Sequence, residues 1–292
     1  MFSQFMTDNP IRPYLELMRV DKPVGTLLLL WPTLAALWMA AGEIPPWHLI
    51  VIFTLGTILM RSAGCVINDY ADRDIDGAVE RTKHRPLVTG AVSPRAALLL
   101  FFGLALSAGI LTLFLNRMTL LIAVAGLGIA ALYPFMKRWT YLPQTILGAA
   151  FSWGLLMAWS ATTGELSAQA FLLFFGSVVW IVAYDTMYAM VDRDDDLKAG
   201  VKSTAILFGG LDRMMIGVLQ AMALYAFILL GQQLDYVLAY YVGIAACAGL
   251  FLYQHYLIRK RDREGCFQAF KNNVWVGFAL FAGTVIELAL KT

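Results

Sequence analysis

Long apolar runs broken by short charged segments set the pattern of this chain. Nine such runs fall near residues 24–41, 47–67, 96–115, 119–135, 143–162, 168–191, 214–231, 236–258 and 273–290. Each approaches the roughly 20 residues with which an α-helix crosses the hydrocarbon core of a bilayer. The pattern predicts an all-α, multi-pass membrane protein with nine transmembrane helices. No polar stretch is long enough to fold separately, so residues 1–292 read as a single transmembrane domain. Residues 1–22 carry Asp8, Arg12, Glu16, Arg19, Asp21 and Lys22 with neither an apolar core nor a small-residue cleavage site, so a cleavable signal peptide is not expected.

Composition supports the membrane reading. Hydrophobic residues make up 60% of the chain and charged residues 14%, against roughly a quarter charged in soluble domains. The placement of the charges adds an orientation. With the N-terminus in the cytoplasm, all of the 22 Lys and Arg except Arg61, Arg117 and Lys291 fall in segments on that side. This is the bias that retains basic loops inside. The net charge of +2 carries no nucleic-acid signal. Cys65, Cys247 and Cys266 are isolated, and His48, His84 and His255 form no zinc motif, so packing roles are expected for the cysteines. Gly126-Leu127-Gly128 has the look of a dinucleotide turn but lies inside an apolar run with no strand before it. Close helix packing explains it better.

The acidic residues are the informative ones. Asn68, Asp69, Asp72, Asp74 and Asp76 follow the second run, and Asp192, Asp194, Asp195 and Asp196 follow the sixth. If the second helix continues, Asn68, Asp72 and Asp76 share a face. In the sixth, Asp185, Asp192 and Asp196 fall in a narrow stripe at about 100° per residue. Like charges so spaced repel unless a cation or basic partner lies among them. Solvated loop charges would explain one acidic loop. They do not explain Asp185 near the end of an apolar run, where a carboxylate is costly, or Arg61 within the second run on the face of Asn68. The two clusters lie four spans apart, hence in the same orientation, as in parallel internal repeats.

Paired aspartates with intervening bases beside an apolar bundle suit a lipid diphosphate. Carboxylates hold Mg²⁺ against the diphosphate oxygens, and Lys83, Arg85, Lys137, Arg138, Lys198 and Lys202 are basic candidates for the remaining charge. A proton-coupled transporter is the competing class. It places its key charges near the bilayer midplane, whereas nearly all of these crowd one rim.

With these motifs the sequence resembles the UbiA superfamily of intramembrane prenyltransferases, in its bacterial 4-hydroxybenzoate branch, over nearly its whole length. The matching segments are Arg19-Val20-Asp21-Lys22-Pro23-Val24-Gly25, Asn68-Asp69-x-x-Asp72-x-x-x-Asp76 preceded by Ala63-Gly64-Cys65, Arg81-Thr82-Lys83-His84-Arg85-Pro86-Leu87, Tyr133-Pro134-Phe135-Met136-Lys137-Arg138, the stretch from Tyr184 through Asp196, Lys202-Ser203-Thr204-Ala205 and Phe270-Lys271-Asn272-Asn273. The resemblance implies a nine-helix ring around a central cavity that opens laterally to lipid. A cytoplasmic cap of helix-loop segments, about residues 68–95 and 192–213, closes it in a bacterial inner membrane. The implied reaction is Mg²⁺-dependent transfer of a polyprenyl group from polyprenyl diphosphate to 4-hydroxybenzoate, ortho to the hydroxyl, in ubiquinone biosynthesis. Related acceptors, dihydroxynaphthoate, homogentisate or haem, are the alternative.

On that resemblance Asp72, Asp76, Asp192 and Asp196 hold Mg²⁺, assisted by Asn68 and Asp69. Lys83, Lys137 and Lys202 are the basic partners of the diphosphate. Asp192 or Asp185 serves as the base. Arg138 or Arg61 pairs with the acceptor carboxylate, with a structural ion pair the bland alternative for Arg61. Tyr188 and Tyr184 face the allylic cation, packing being theirs. Partners are then the two substrates and membrane lipid, with no nucleic acid, and association with other quinone-pathway enzymes is a further expectation.

Overall fold

The computed structural model describes residues 10–74, 76–78 and 80–291. The side chains of residues 78, 131, 133–135, 137, 138 and 199 lie outside this description, and with them two predicted site residues, Lys137 and Arg138, and the Tyr133–Phe135 segment of one motif. Among the described residues the chain is all-α. A short helix α1 (Arg12–Leu17) leads into α2 (Val24–Ala41), α3 (Trp47–Asp72), α4 (Pro94–Thr112), α5 (Arg117–Trp139), α6 (Pro143–Thr163) and α7 (Ala168–Ala199). Then come the short α8 (Thr204–Phe208), α9 (Asp212–Gln233), α10 (Leu238–Leu257) and α11 (Arg263–Lys291).

Among the described residues eight helical segments are long and apolar enough to cross a membrane, and this is a multi-pass membrane protein. The helix α5 contributes a shorter apolar stretch, Arg117–Ala130. Three predicted ends differ from the structure by five residues or more. The second span runs on to Asp72, the sixth to Ala199, and the ninth begins at Arg263 rather than near residue 273. Hydropathy finds the part of a helix that lies in lipid, but backbone hydrogen bonding continues wherever polar side chains are satisfied beyond it.

Polar side chains and glycines mark the helix ends. Ser93, Asn116 and Ser167 accept hydrogen bonds from Ala96, Thr119 and Ala170 backbone N–H groups at the starts of α4, α5 and α7. At the end of α7, Gly200 takes a left-handed φ of 68°, and its N–H returns to the Asp196 carbonyl. Pro32 inside α2 leaves the helix unbroken, as neighbouring helices permit in membranes.

The core is centred on α7. Buried residues make up 67% of its apolar window, against 11% for α4. Trp180 and Tyr184 of α7, Phe227 of α9, Tyr240 of α10 and Leu37 of α2 are fully enclosed. Between α10 and α11 the backbones meet at Gly243 and Gly283, where a methyl group on Gly243 would come 2.8 Å from the Ala279 carbonyl oxygen. Gly126 likewise gives its face to Trp153, whose indole N–H donates to the Ile122 carbonyl at 2.7 Å. The Gly126-Leu127-Gly128 segment is thus helical.

Candidate active site

The two acidic motifs meet at one end of the bundle. Arg81, from the segment after the first motif, donates from Nε and Nη2 to the Asp192 carboxylate of the second at 3.0 and 2.5 Å. Its guanidinium lies 4.7 Å from the centre of the Tyr188 ring. Burial alone would lower the Arg81 pKa, but Tyr188 and Asp192, with a smaller contribution from Asp76, raise it.

In the first motif the helix stops at Asp72, and Asp76 sits in a separate 3₁₀ turn, Asp76–Ala78. The common helical face foreseen for Asn68, Asp72 and Asp76 therefore holds only as far as Asp72. Arg85 brings Asp76 back: its Nη1 lies 2.6 Å from Asp76 and 2.9 Å from Asp69. Arg19 also reaches Asp69, at 2.9 and 3.1 Å. Asp69 and Asp76 are 2% and 6% exposed, so these are interior charges whose pairing decides whether the segment is tolerated at all. Burial pushes the Asp76 carboxyl above its ordinary range, Arg85 opposes this, and Asp72 and Asp69 add to it. Three carboxylates thus act on one another here.

The second motif is built differently. One unbroken helix carries Asp185, Asp192 and Asp196, and Asp192 is 8% exposed. Tyr188 packs 4.6 Å from Phe270, and Tyr184 5.9 Å from the same ring, making an aromatic wall below the carboxylates. Asn273 receives the Trp180 indole N–H at 2.8 Å. The segment carrying Lys202 is tied down by a buried knot in which Gln144 accepts from the Thr204 N–H at 3.1 Å and Thr204 meets Thr186 at 2.7 Å. Lys202 lies over the Tyr141 ring at 5.3 Å, and Lys83 pairs with Glu80 at 2.6 Å.

Arg61 sits deeper. Its Nη1 approaches Cys65 Sγ at 2.9 Å, its guanidinium lies 5.8 Å from the Phe151 ring, and its Nε is buried without a hydrogen-bond partner. Phe151 also lines an apolar cavity of about 260 Å³ bounded by α2 through α6, among them Phe53, Met60, Ala108, Leu127 and Trp153. Arg61 therefore stands between the charged end and the greasy interior. Cys65, Cys247 and Cys266 are free and buried.

Sequence reasoning emphasised lysines, whereas arginines hold the carboxylates. Arg19, Arg81 and Arg85 stand in the motifs already quoted, and the spacing of Arg81 and Arg85 by four was the available signal. Their partners lie 50, 111 and 9 residues away for Arg19, Arg81 and Arg85, and long separations are invisible to local patterning. Among the described residues no group of three or more His, Cys, Asp or Glu side chains is gathered closely enough to enclose a metal ion.

Residues 29–281 match the UbiA prenyltransferase family. The chain is 55% identical over 275 residues to the 4-hydroxybenzoate octaprenyltransferase of Alcanivorax borkumensis, covering 94% of this chain and 95% of the relative. Among solved structures, a UbiA homologue from Aeropyrum pernix superposes with a TM-score of 0.80 at 25% identity, covering 89% of this chain and 97% of that one. A homologue from Archaeoglobus fulgidus, bound to GPP and Mg²⁺, shares the fold at 19% identity and a TM-score of 0.68, covering 92% and 99%.

Proposed function

The chain belongs to the UbiA prenyltransferase family, and from that premise we propose that it transfers a polyprenyl group from polyprenyl diphosphate to 4-hydroxybenzoate. The new bond forms at the ring carbon ortho to the hydroxyl, diphosphate leaves, and the product enters ubiquinone biosynthesis. The observation that carries this reading is the ion pair by which Arg81, in the segment after the first acidic motif, holds Asp192 of the second. It concentrates carboxylates and guanidinium groups where one diphosphate head would lie.

The donor set suits Mg²⁺. It is made of carboxylate oxygens with Asn68, and Asp76 is a carboxylate whose ionisation is opposed by burial and, to a lesser extent, by its acidic neighbours. Mg²⁺ commonly binds through carboxylates together with substrate phosphates. Asp72, Asp76, Asp192 and Asp196 would hold it, with Asn68 and Asp69 assisting. When bound, it supplies the charge that stabilises diphosphate as a leaving group.

Lys83, Lys137 and Lys202 neutralise the diphosphate, and Arg81 and Arg85 exchange their carboxylate partners for its oxygens. The proximal isoprene units occupy the apolar cavity. At about 260 Å³ it falls below the roughly 300–1,000 Å³ of pockets that enclose drug-sized ligands, so a long tail continues into lipid. The aromatic wall of Tyr184 and Tyr188 faces the developing allylic cation. Arg138 or Arg61 pairs with the acceptor carboxylate, and Asp192 or Asp185 takes the phenolic proton, which activates the ortho carbon.

This reading takes α5 as a ninth span, completing a one-domain ring capped by the motif segments. The N-terminus and the active site face the cytoplasm of a bacterial inner membrane, and the protein works beside other quinone-pathway enzymes. The test is mass spectrometry of products from purified protein, Mg²⁺, prenyl diphosphates of mixed length and each candidate acceptor. Prenylated 4-hydroxybenzoate is expected. Prenylation of dihydroxynaphthoate or homogentisate in its place would overturn the acceptor assignment.

A further inference from the structure

Asp212 opens α9, follows the last aspartate of the second acidic motif by sixteen residues, and is wholly buried. Arg261 grips it through Nε at 2.9 and 3.0 Å and through Nη2 at 2.7 Å, and also donates to the Gly210 carbonyl at 2.9 Å. Arg193, the neighbour of Asp192, donates to the same carboxylate at 3.3 Å. Arg261 holds a left-handed φ of 56°, uncommon for a side-chain-bearing residue, directly after the 3₁₀ turn Ile258–Lys260. Two residues on, Arg263 reaches back to Asp195 at 3.0 Å. The turn between α10 and α11 thus touches α7 twice, once directly and once through Asp212.

Helical geometry gives those two contacts a meaning. At about 100° per residue, Asp192 and Asp196 lie some 40° apart on one face. Arg193 then lies about 100° to one side of Asp192 and Asp195 about 60° to the other. One flank of the acidic face is therefore held through Asp212 and Arg261, and the other by Arg263. Asp194, on the back, borders a polar cavity of about 180 Å³ shared with Arg193, Arg261 and Arg263. With both flanks tied, α7 cannot roll about its axis without breaking an ion pair, one of which is centred on a fully buried carboxylate. Breaking such a pair by removing one partner is costly.

We propose that Arg261, Arg263 and Asp212 form a rotational clamp on α7 that aims Asp192 and Asp196 at the diphosphate head. They are positioning residues, none touching the reacting atoms. The proposal rests on the prenyl-transfer reading above and adds that the α10–α11 turn controls how well the second motif receives the metal and diphosphate.

The test uses the purified full-length protein in detergent. Binding of farnesyl thiolodiphosphate, which resists ionisation, is measured by calorimetry across a Mg²⁺ series for wild type, Arg261→Met and Arg263→Met, alongside KM for each substrate. Loss of aim predicts an analogue affinity and a Mg²⁺ midpoint about tenfold weaker in both variants, the size typical of supports behind metal ligands. KM for 4-hydroxybenzoate stays unchanged. Arg263→Lys recovers binding, because its contact is a single point, whereas Arg261→Lys does not, because a lysine cannot reproduce the fork on Asp212 and Gly210. Variants that melt earlier yet keep wild-type analogue affinity and Mg²⁺ midpoint would overturn the clamp and leave a simple staple. If Arg261→Met does not accumulate, Arg263→Met decides alone, since it leaves the Asp212 cluster intact. Wild-type protein that binds no analogue would overturn the transfer reaction and the clamp together, whereas normal wild-type binding with unaffected variants removes only the clamp.

Discussion

The first acidic motif is split between a helix end and a 3₁₀ turn, whereas the second lies wholly on a helix that runs on to Ala199. In the first, Asp76 is aligned by Arg85, and Asp69 by Arg85 and Arg19, so geometry comes from ion pairs between segments. In the second, hydrogen bonds along the backbone fix the spacing of Asp192 and Asp196, and ion pairs only set how the helix is turned. The same carboxylate chemistry is thus supported by a charge network on one side and by a backbone ladder on the other. A network can rearrange when its partners change, and a ladder cannot. The first motif therefore depends on its arginine partners for its geometry, and the second on the backbone of its own helix.

The largest effect should come from removing a carboxylate on either side. Asp72→Ala and Asp192→Ala are each expected to lower kcat by on the order of 10²–10³-fold, as loss of a charge-stabilising group does. Membrane insertion should persist. Near-normal turnover of either purified variant would show that its motif is not shared by the ligand.

Next in size, the motifs should differ in how they tolerate loss of an arginine. Arg85→Met removes the arginine that pairs with Asp76 and leaves Asp69 with Arg19 alone, and should cost about 3–5 kcal/mol, read as thermal unfolding in detergent. Arg81→Met frees only Asp192, whose helix stands without it, and should cost clearly less. Equal losses would break the distinction between network and ladder.

A smaller effect tests the ladder itself. Gly200→Ala forces a methyl group into a left-handed position with φ of 68° and should cost about 1–2 kcal/mol. Turnover should fall modestly, because the last turn carrying Asp196 frays.

The smallest effect concerns pH. The Asp76 carboxyl lies above its ordinary value of 3.8, chiefly through burial. The folded state therefore binds its proton more tightly than the unfolded chain, so stability falls as pH rises from the ordinary carboxylate range through the raised pKa. Asp76→Asn should melt slightly later than wild type at pH 7 while losing activity. The gain should vanish below the ordinary carboxylate range, where both states of the wild type are protonated. A gain that persists there would assign it to packing rather than charge.

Much of the site was legible locally. Asp185, Asp192 and Asp196 could be placed on one helix because a regular repeat needs only the chain between them. The end of α3 was not legible. Residues 73–76 carry an arginine and two aspartates, much as residues 193–196 carry an arginine and three, and that charge pattern does not tell a helix that stops from one that continues. The start of α11 was missed for a related reason. Its first turns are polar and gain their support from Asp262, which caps the Gly265 N–H at 2.8 Å, and from the Arg263–Asp195 pair.

By itself the sequence determined that the chain enters a bilayer, approximately where each helix crosses, and that two acidic clusters share one orientation. Those properties follow from apolar length and from counting spans, both of which are sums along the chain. Only the tertiary structure decided which cation each carboxylate holds, that Arg81 joins the two motifs, and that the α10–α11 turn braces α7. An ion pair forms where two folded surfaces meet, and that meeting is fixed by the packing of all the helices rather than by the residues beside either charge.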